Sequence, residues 1–315
     1  MQILERDALC YTNSARLSPA AWVEPGEVFL ARTELCSGPW LQSPRDRWTP
    51  RRSMDSPGSN PCVCAGVKGA KPGDLLAVDL LEVRPGELGY TGFAGWRNPL
   101  CQEIWPNDWD VVTRTVEIQD GFVRWDDRLA LPVRPMVGTL ATAPRQGEFP
   151  CSHQGRYGGN MDIQEVTGGA TVYLPVEVEG ALLQIGDVHA IMGDGEINRG
   201  GGIECRGEVL LRVRLLDRPP DFDWIRLEDR DYLMTAACTG DLRESFAQAA
   251  RQLVLWMVQG FAFTPQEAYL LLGQVLESRC TAYVNPLYTV ICKVKKEYLR
   301  PRQWGGKGAK GGTGQ

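Results

Sequence analysis

Histidine is scarce in this chain: 315 residues carry two, His153 and His189. Any imidazole chemistry is confined to those places. Positive charge is not in excess either. A net charge of −5 and a pI near 5.3 argue against nucleic-acid binding, which normally shows as a basic patch. No apolar run approaches the roughly 20 residues that span a bilayer, so no membrane partner is expected. The N-terminus, M-Q-I-L-E-R-D-A-L-C, lacks the basic region and uninterrupted apolar stretch of a signal peptide, which points to a cytoplasmic protein. Cysteine is present ten times but without zinc-site spacing: Cys62 and Cys64 form a C-x-C with no second pair. Free, reduced thiols are expected, small and buried.

Glycine and proline are plentiful, at 35 and 21 residues. Short strand patterns fill the first two thirds, at 27–35, 75–83, 110–118, 121–125 and 209–216. Pro25-Gly26, Pro72-Gly73 and Asp120-Gly121 punctuate them as turns. The pattern predicts a mainly β fold, sandwich or jelly-roll-like, over residues 1–220. Residues 67–78 echo residues 178–190, which suggests two related β units, each with a turn that places an acid just before a strand. Beyond Pro219-Pro220 the composition changes, and 221–304 reads as an α+β lobe. One helix is expected over about 240–260, with Leu242, Phe246, Ala249, Leu253 and Met257 as its apolar stripe. A second opens on the capping box Thr264-Pro265-Gln266-Glu267 and runs to about Arg279. A strand follows the Asn285-Pro286 turn. The glycine-rich tail 305–315 is expected to be disordered.

The densest polar segment is Gly186–Glu196, G-D-V-H-A-I-M-G-D-G-E. On a strand, Asp187 and His189 would leave the same face. Gly193 and Gly195 allow a tight turn that could swing Asp194 and Glu196 back toward them. Upstream, H-Q-G-R-Y-G-G-N-M-D (153–162) brings the other histidine, Asn160 and Asp162, with a double glycine of the kind that lets backbone approach a ligand. Glu204 follows the Gly200-Gly201-Gly202 run. Carboxylates and an imidazole on one rigid element can hold a divalent metal, perform acid–base chemistry, or both.

These blocks carry a resemblance. G-G-N-M-D, then L-P-V-x-V-x-G-A-L, then G-D-x-H-A-x-x-G-D-G-E and G-I-E resemble, in order and spacing, the acetamidase/formamidase family of amide hydrolases. Gly66–Leu80 is similar to that family's early strand block, and 268–286, ending in V-N-P, to its C-terminal segment. The likeness covers most of residues 20–300. It departs at Met192, where the family commonly has a polar residue, often Gln. It departs at Tyr157, where His is common, and near Thr33–Cys36, where an acid expected besides Glu34 is missing. The family's members assemble as oligomers, which, with many short strand edges and ten tryptophans, implies a homo-oligomer, most simply a dimer.

The implied activity is hydrolysis of small linear amides, with release of ammonia or an amine. Asp162, Asp187, His189 and Glu204 are the expected ligands of a divalent metal, zinc first, although the oxygen-rich set also suits manganese, magnesium or calcium. Glu196 is the expected general base, with His189 and Asp187 catalytic beside it. Asp194 is read as either ligand or turn former. Asn160, Met192, Tyr157 and His153 are the expected substrate contacts, Met192 making the pocket less polar. Two other readings stay open: a thiol amidase using Cys151 or Cys205, and a binding or structural protein on a catalytically altered scaffold.

Overall fold

The structure is a computed structural model, and it describes residues 1–49, 51, 56–94, 99–106, 111–198 and 200–299. The glycine-rich tail lies outside these residues. The fold is mostly β, as expected, and its strands, apart from the separate pair Thr12–Ser14 and Glu148–Pro150, join in one curled, largely antiparallel network. The expected strands recur as Val28–Thr33, Val111–Gln119, Phe122–Arg124 and Glu204–Asp217. The 75–83 pattern is the first part of a much longer strand, Asp74–Ala94. It pairs with Glu204–Asp217 along nearly its whole length, with register shifts that curl both strands.

The core explains why one face is so apolar. Val63, Ala65, Leu76, Val78, Val172, Leu174, Leu183, Ile185, Val188, Val209 and Leu211 are all buried in a single cluster. Their alternation along paired strands sends one row inward from each.

The internal echo has a structural counterpart with a difference. The strand Cys62–Val67 pairs antiparallel with Leu183–His189, and where the two related segments begin, Val67 N–H donates to Gly180 O and Gly180 N–H to Ala70 O. In the first, Asp74 does what the pattern predicts: it opens a strand and accepts the turn amide of Lys71. In the second, Asp187 is not in a turn before the strand but inside it.

The C-terminal segment continues the sheet. Ile225–Glu228 pairs with Thr171–Pro175, and Tyr232–Thr239 pairs with Tyr288–Lys295. The first helix, Leu242–Phe261, is capped by Asp241, which accepts from the Glu244 amide. It buries Ala249, Leu253 and Met257 against Leu233 and Ala237, whereas Leu242 and Phe246, expected in that stripe, are exposed. The second helix has the expected capping box but ends at Val275 instead of Arg279. Residues Glu277–Ala282 form a strand on Tyr288–Lys295, because ladder pairing and the ion pair of Arg279 with Glu165 outweigh helical continuation.

Candidate active site

Four acids and one imidazole converge where the Leu183–His189 strand meets its neighbours. Antiparallel register sets His189 directly across from Glu204, and its Nε2 lies 3.0 Å from Glu204 Oε1. Asp187 Oδ1 is 4.0 Å from the same nitrogen. Asp162, His189 and Glu196 present donor atoms all within 4.8 Å of one another, and so do Cys36, Asp187 and Glu204. Asp162, Asp187, His189, Glu196 and Glu204 are all buried.

Simple strand alternation does not produce this arrangement. Asp162, Asp187 and Glu196 have φ of 50°, 60° and 48°. Left-handed backbone at non-glycine residues typically costs about 1–3 kcal/mol each and collects at functional sites. The kink at Asp187 interrupts the ladder with Met136–Ala141: Val137 pairs with Val188 and Thr139 with Gly186, while Gly138 and Asp187 are skipped. Gly138 is bare for a reason. A Cβ there would lie 2.4 Å from Asp187 Oδ2 and 2.6 Å from Asp162 Oδ1. The double glycine 158–159, expected to face a ligand, instead packs against its own chain: a Cβ would meet Leu140 O at 2.3 Å or His153 O at 2.2 Å.

An amide network holds the acids. Asn160 donates to Asp162 Oδ2 at 2.9 Å, and its own oxygen accepts from Asn60 and Thr139. Asn285 donates to Asp162 Oδ2 at 2.6 Å and reaches Glu196 Oε2 at 3.5 Å. Asn285 brings the V-N-P segment into the site. Its role is absent from the local pattern of the 153–204 blocks, and the V-N-P match was its only signal. Gly138 had none.

The electrostatics are those of too many acids for one imidazole. Burial pushes the Asp187 carboxyl well above its ordinary range, and the charge of Glu204 adds to this. Burial likewise raises Glu196, followed by the charge of Asp162, and it raises Asp162 itself. Burial alone would lower His189, but Glu204 and Asp187 outweigh it and push the imidazole up to about 10. Even so, His189 Nδ1, Asp162 Oδ1, Asp187 Oδ1 and Glu204 Oε2 have no hydrogen-bond partner, and His189 Nε2 has only its ion-pair contact with Glu204. Buried polar atoms are rarely left so.

A cavity of about 330 Å³ opens onto this cluster. Glu196, Glu204, Asn160, His153 and Asn285 line it, with Cys36, Trp48, Tyr90 and Phe93 among the other walls. Two expected substrate contacts are elsewhere. Met192 is buried and does not line the cavity; it packs where a Cβ on Gly202 would strike it at 2.7 Å. Tyr157 packs at a tilt against Phe149, ring centroids 5.4 Å apart, away from the cavity lining. Asp194 points outward to Arg279 Nε at 2.8 Å, a turn former and not a member of the cluster. Both thiol candidates are buried without a base: Cys151 Sγ donates to Gln184 Oε1 and Cys205 Sγ to Val188 O. Burial raises the Cys205 thiol, and thiol neighbours and burial raise that of Cys151. All ten cysteines are free, and Cys36, which the sequence reading passed over, is the one lining the cavity.

A recessed carboxylate–histidine centre on a curled β sheet is therefore the class of site this fold defines. The profile of the Acetamidase/Formamidase family matches residues 150–221, the stretch that supplies all four acids and the imidazole. Over that stretch the chain is similar to that family. An acetamidase of Mycolicibacterium smegmatis is 28% identical over 295 residues, covering 66% of this chain and 70% of that one. A formamidase of Methylophilus methylotrophus is 27% identical over 203 residues, and the chain spans 50% of its length. A crystal structure of a predicted acetamidase/formamidase from Thermoanaerobacter tengcongensis superposes with a TM-score of 0.87 at 29% identity, covering 95% of this chain and 96% of that one.

Proposed function

We propose that the protein hydrolyses small linear amides, releasing ammonia or an amine, with the help of a divalent cation. The observation that carries this reading is the set of unpartnered buried donors behind a small cavity that Glu196 and Glu204 line, in a chain similar to this family. A cavity of about 330 Å³ is at the small end of ligand sites, which suits a small amide.

The donor set fits a cation. Four buried carboxyls face one imidazole, and uncompensated buried charge is costly unless a counter-ion offsets it. Asp162, Asp187, His189 and Glu204 would hold the ion, with zinc first among the divalent metals. Bound there, it would supply Lewis acidity toward the substrate. Glu196 would do the proton work. Its carboxyl borders the cavity, where Oε2 would take a proton from the attacking water and pass it to the leaving nitrogen. Asn285 and Asn160 are positioning residues that keep Asp162 and Glu196 aimed. His153, whose Nδ1 is unpartnered, is the side chain free to hydrogen-bond the amide.

Ammonia release from a panel of short amides tests the activity, and no turnover of any of them would sink it. Chelation is expected to abolish turnover, with Zn²⁺ or Mn²⁺ restoring it. Full turnover by protein shown by elemental analysis to be metal-free would remove the cation from the mechanism.

We also propose a homo-oligomer. Leu242, Phe246, Tyr269 and Leu270 on the two helices are exposed, and a symmetric partner could cover them. Light scattering at micromolar concentration is expected to give at least twice the chain mass of 34.9 kDa, and a monomer mass would defeat the idea.

A further inference from the structure

One ion does not account for the donors this site presents. A catalytic zinc typically takes three protein ligands and leaves a fourth position open. Here oxygens of Asp162, Asp187 and Glu204 and the imidazole Nδ1 are buried without a hydrogen-bond partner, and Nε2 has only its ion-pair contact with Glu204. Charge gives the same answer. Four carboxylates and a Cys36 thiolate would carry five negative charges, far more than one divalent cation offsets.

The second group of donors lies to one side of the first. Cys36 follows the strand Val28–Thr33, which pairs with Glu204–Asp217. That pairing carries its Sγ to Asp187 and Glu204, within 4.8 Å of an oxygen on each. The sulfur also ends a hydrogen-bond chain. The Trp40 indole, which can only donate, gives its hydrogen to Ser37 Oγ at 2.8 Å. Ser37 Oγ lies 2.7 Å from Tyr90 Oη, and Tyr90 Oη 3.2 Å from Cys36 Sγ. In both of these contacts either atom can donate; with Tyr90 Oη donating, Sγ is the acceptor. That is the state a metal-bound thiolate requires, with Tyr90 as the outer group that orients it.

We propose that the centre is dinuclear, with a second, thiophilic divalent cation held by Cys36, Asp187 and Glu204 beside the ion on Asp162 and His189, the carboxylates of Asp187 and Glu204 serving both. The inference rests on the cation-assisted amidase reading and sharpens it. A thiolate in the set selects zinc or cobalt over magnesium and calcium, which prefer oxygen alone.

The test uses the full chain, stripped by chelation and reloaded with Zn²⁺ or Co²⁺. Elemental analysis is expected to find two equivalents per chain. The cobalt form is expected to show a sulfur-to-metal absorption band in the near ultraviolet. Cys36→Ser is expected to keep one equivalent and lose the band. Should that variant fail to fold, wild-type protein supplies the second measurement. Iodoacetamide labelling of Cys36, mapped by mass spectrometry, is expected to slow by at least about tenfold once the second equivalent of Zn²⁺ is bound. One equivalent, no sulfur band and unprotected Cys36, in protein that hydrolyses amides and needs metal to do so, would overturn the second site and leave the amidase reading standing. Absence of amide hydrolysis by wild-type protein carrying two equivalents would overturn that reading and leave the dinuclear site standing.

Discussion

Replacing His189 by Ala, or Asp187 by Asn, is expected to cut amide hydrolysis by at least about a hundredfold, the usual weight of an acid–base or metal-binding group. The two variants should part company in stability. Asp187 is a buried acid among three others, its carboxyl pushed up by burial and then by Glu204. Removing its charge relieves repulsion, and Asn tolerates the left-handed backbone at φ 60°. Metal-free Asp187→Asn should therefore melt no lower than metal-free wild type. His189 is the cluster's one cationic group, held up at about 10 against the pull of burial by Glu204 and Asp187. Metal-free His189→Ala loses that compensation and leaves a cavity, so it should melt below wild type. Thermal melts of chelated protein read this directly. Wild-type turnover and metal content in either variant would take that residue out of the centre.

Gly138→Ala should be nearly as damaging, although it adds one methyl group. Its Cβ would stand 2.4 Å from Asp187 Oδ2, 2.6 Å from Asp162 Oδ1 and 3.0 Å from the Asp187 carbonyl oxygen. These contacts do not yield by rotating one flexible chain. Asp162 is tied to Asn160 and Asn285, and the third contact is backbone. Overpacking of this kind costs about 1–3 kcal/mol. The functional loss should be larger in proportion, because the displaced atoms are the proposed ligands. We expect a drop in turnover of at least about a hundredfold and weaker metal retention, since an ångström of misplacement can carry that factor. Gly240→Ala is the control. A Cβ there meets nothing within 4 Å, and activity should be unchanged. Normal turnover by Gly138→Ala would mean that the carboxylates are free to move and that the cradle is not rigid.

Some features of the site could be read directly along the chain, and others not at all. Asp162, Asp187, His189, Glu196 and Glu204 stand within 43 positions, 162–204, and their density in glycine-punctuated blocks marked them. The reason offered for Asp187 and His189 was strand alternation. The structure brings them together through a kink at Asp187 and cross-strand register with Glu204. Cys36, Asn60, Gly138 and Asn285 are scattered over the chain, and each looks unremarkable beside its sequence neighbours. Met192 and Tyr157 show the opposite error. Proximity to the motif in sequence points to the site, but Met192 lies past the end of the strand Leu183–His189 and Tyr157 in the turn between Gln154–Gly155 and Gly158–Asn160, and both pack inward.

The sequence by itself determined the β character, the capped helices and the polar blocks, because periodicity, turn residues and caps act over a few residues. It also carried the family likeness, in the order of its blocks. Tertiary structure alone decided that the strand Asp74–Ala94 runs on past its apparent end, that Glu277–Ala282 leaves the helix for the sheet, and that a thiol from residue 36 meets acids at 187 and 204. Each of these depends on which distant strand supplies the neighbouring hydrogen bonds. That choice is made by burial of apolar faces across the whole sheet, and no local window of residues contains it.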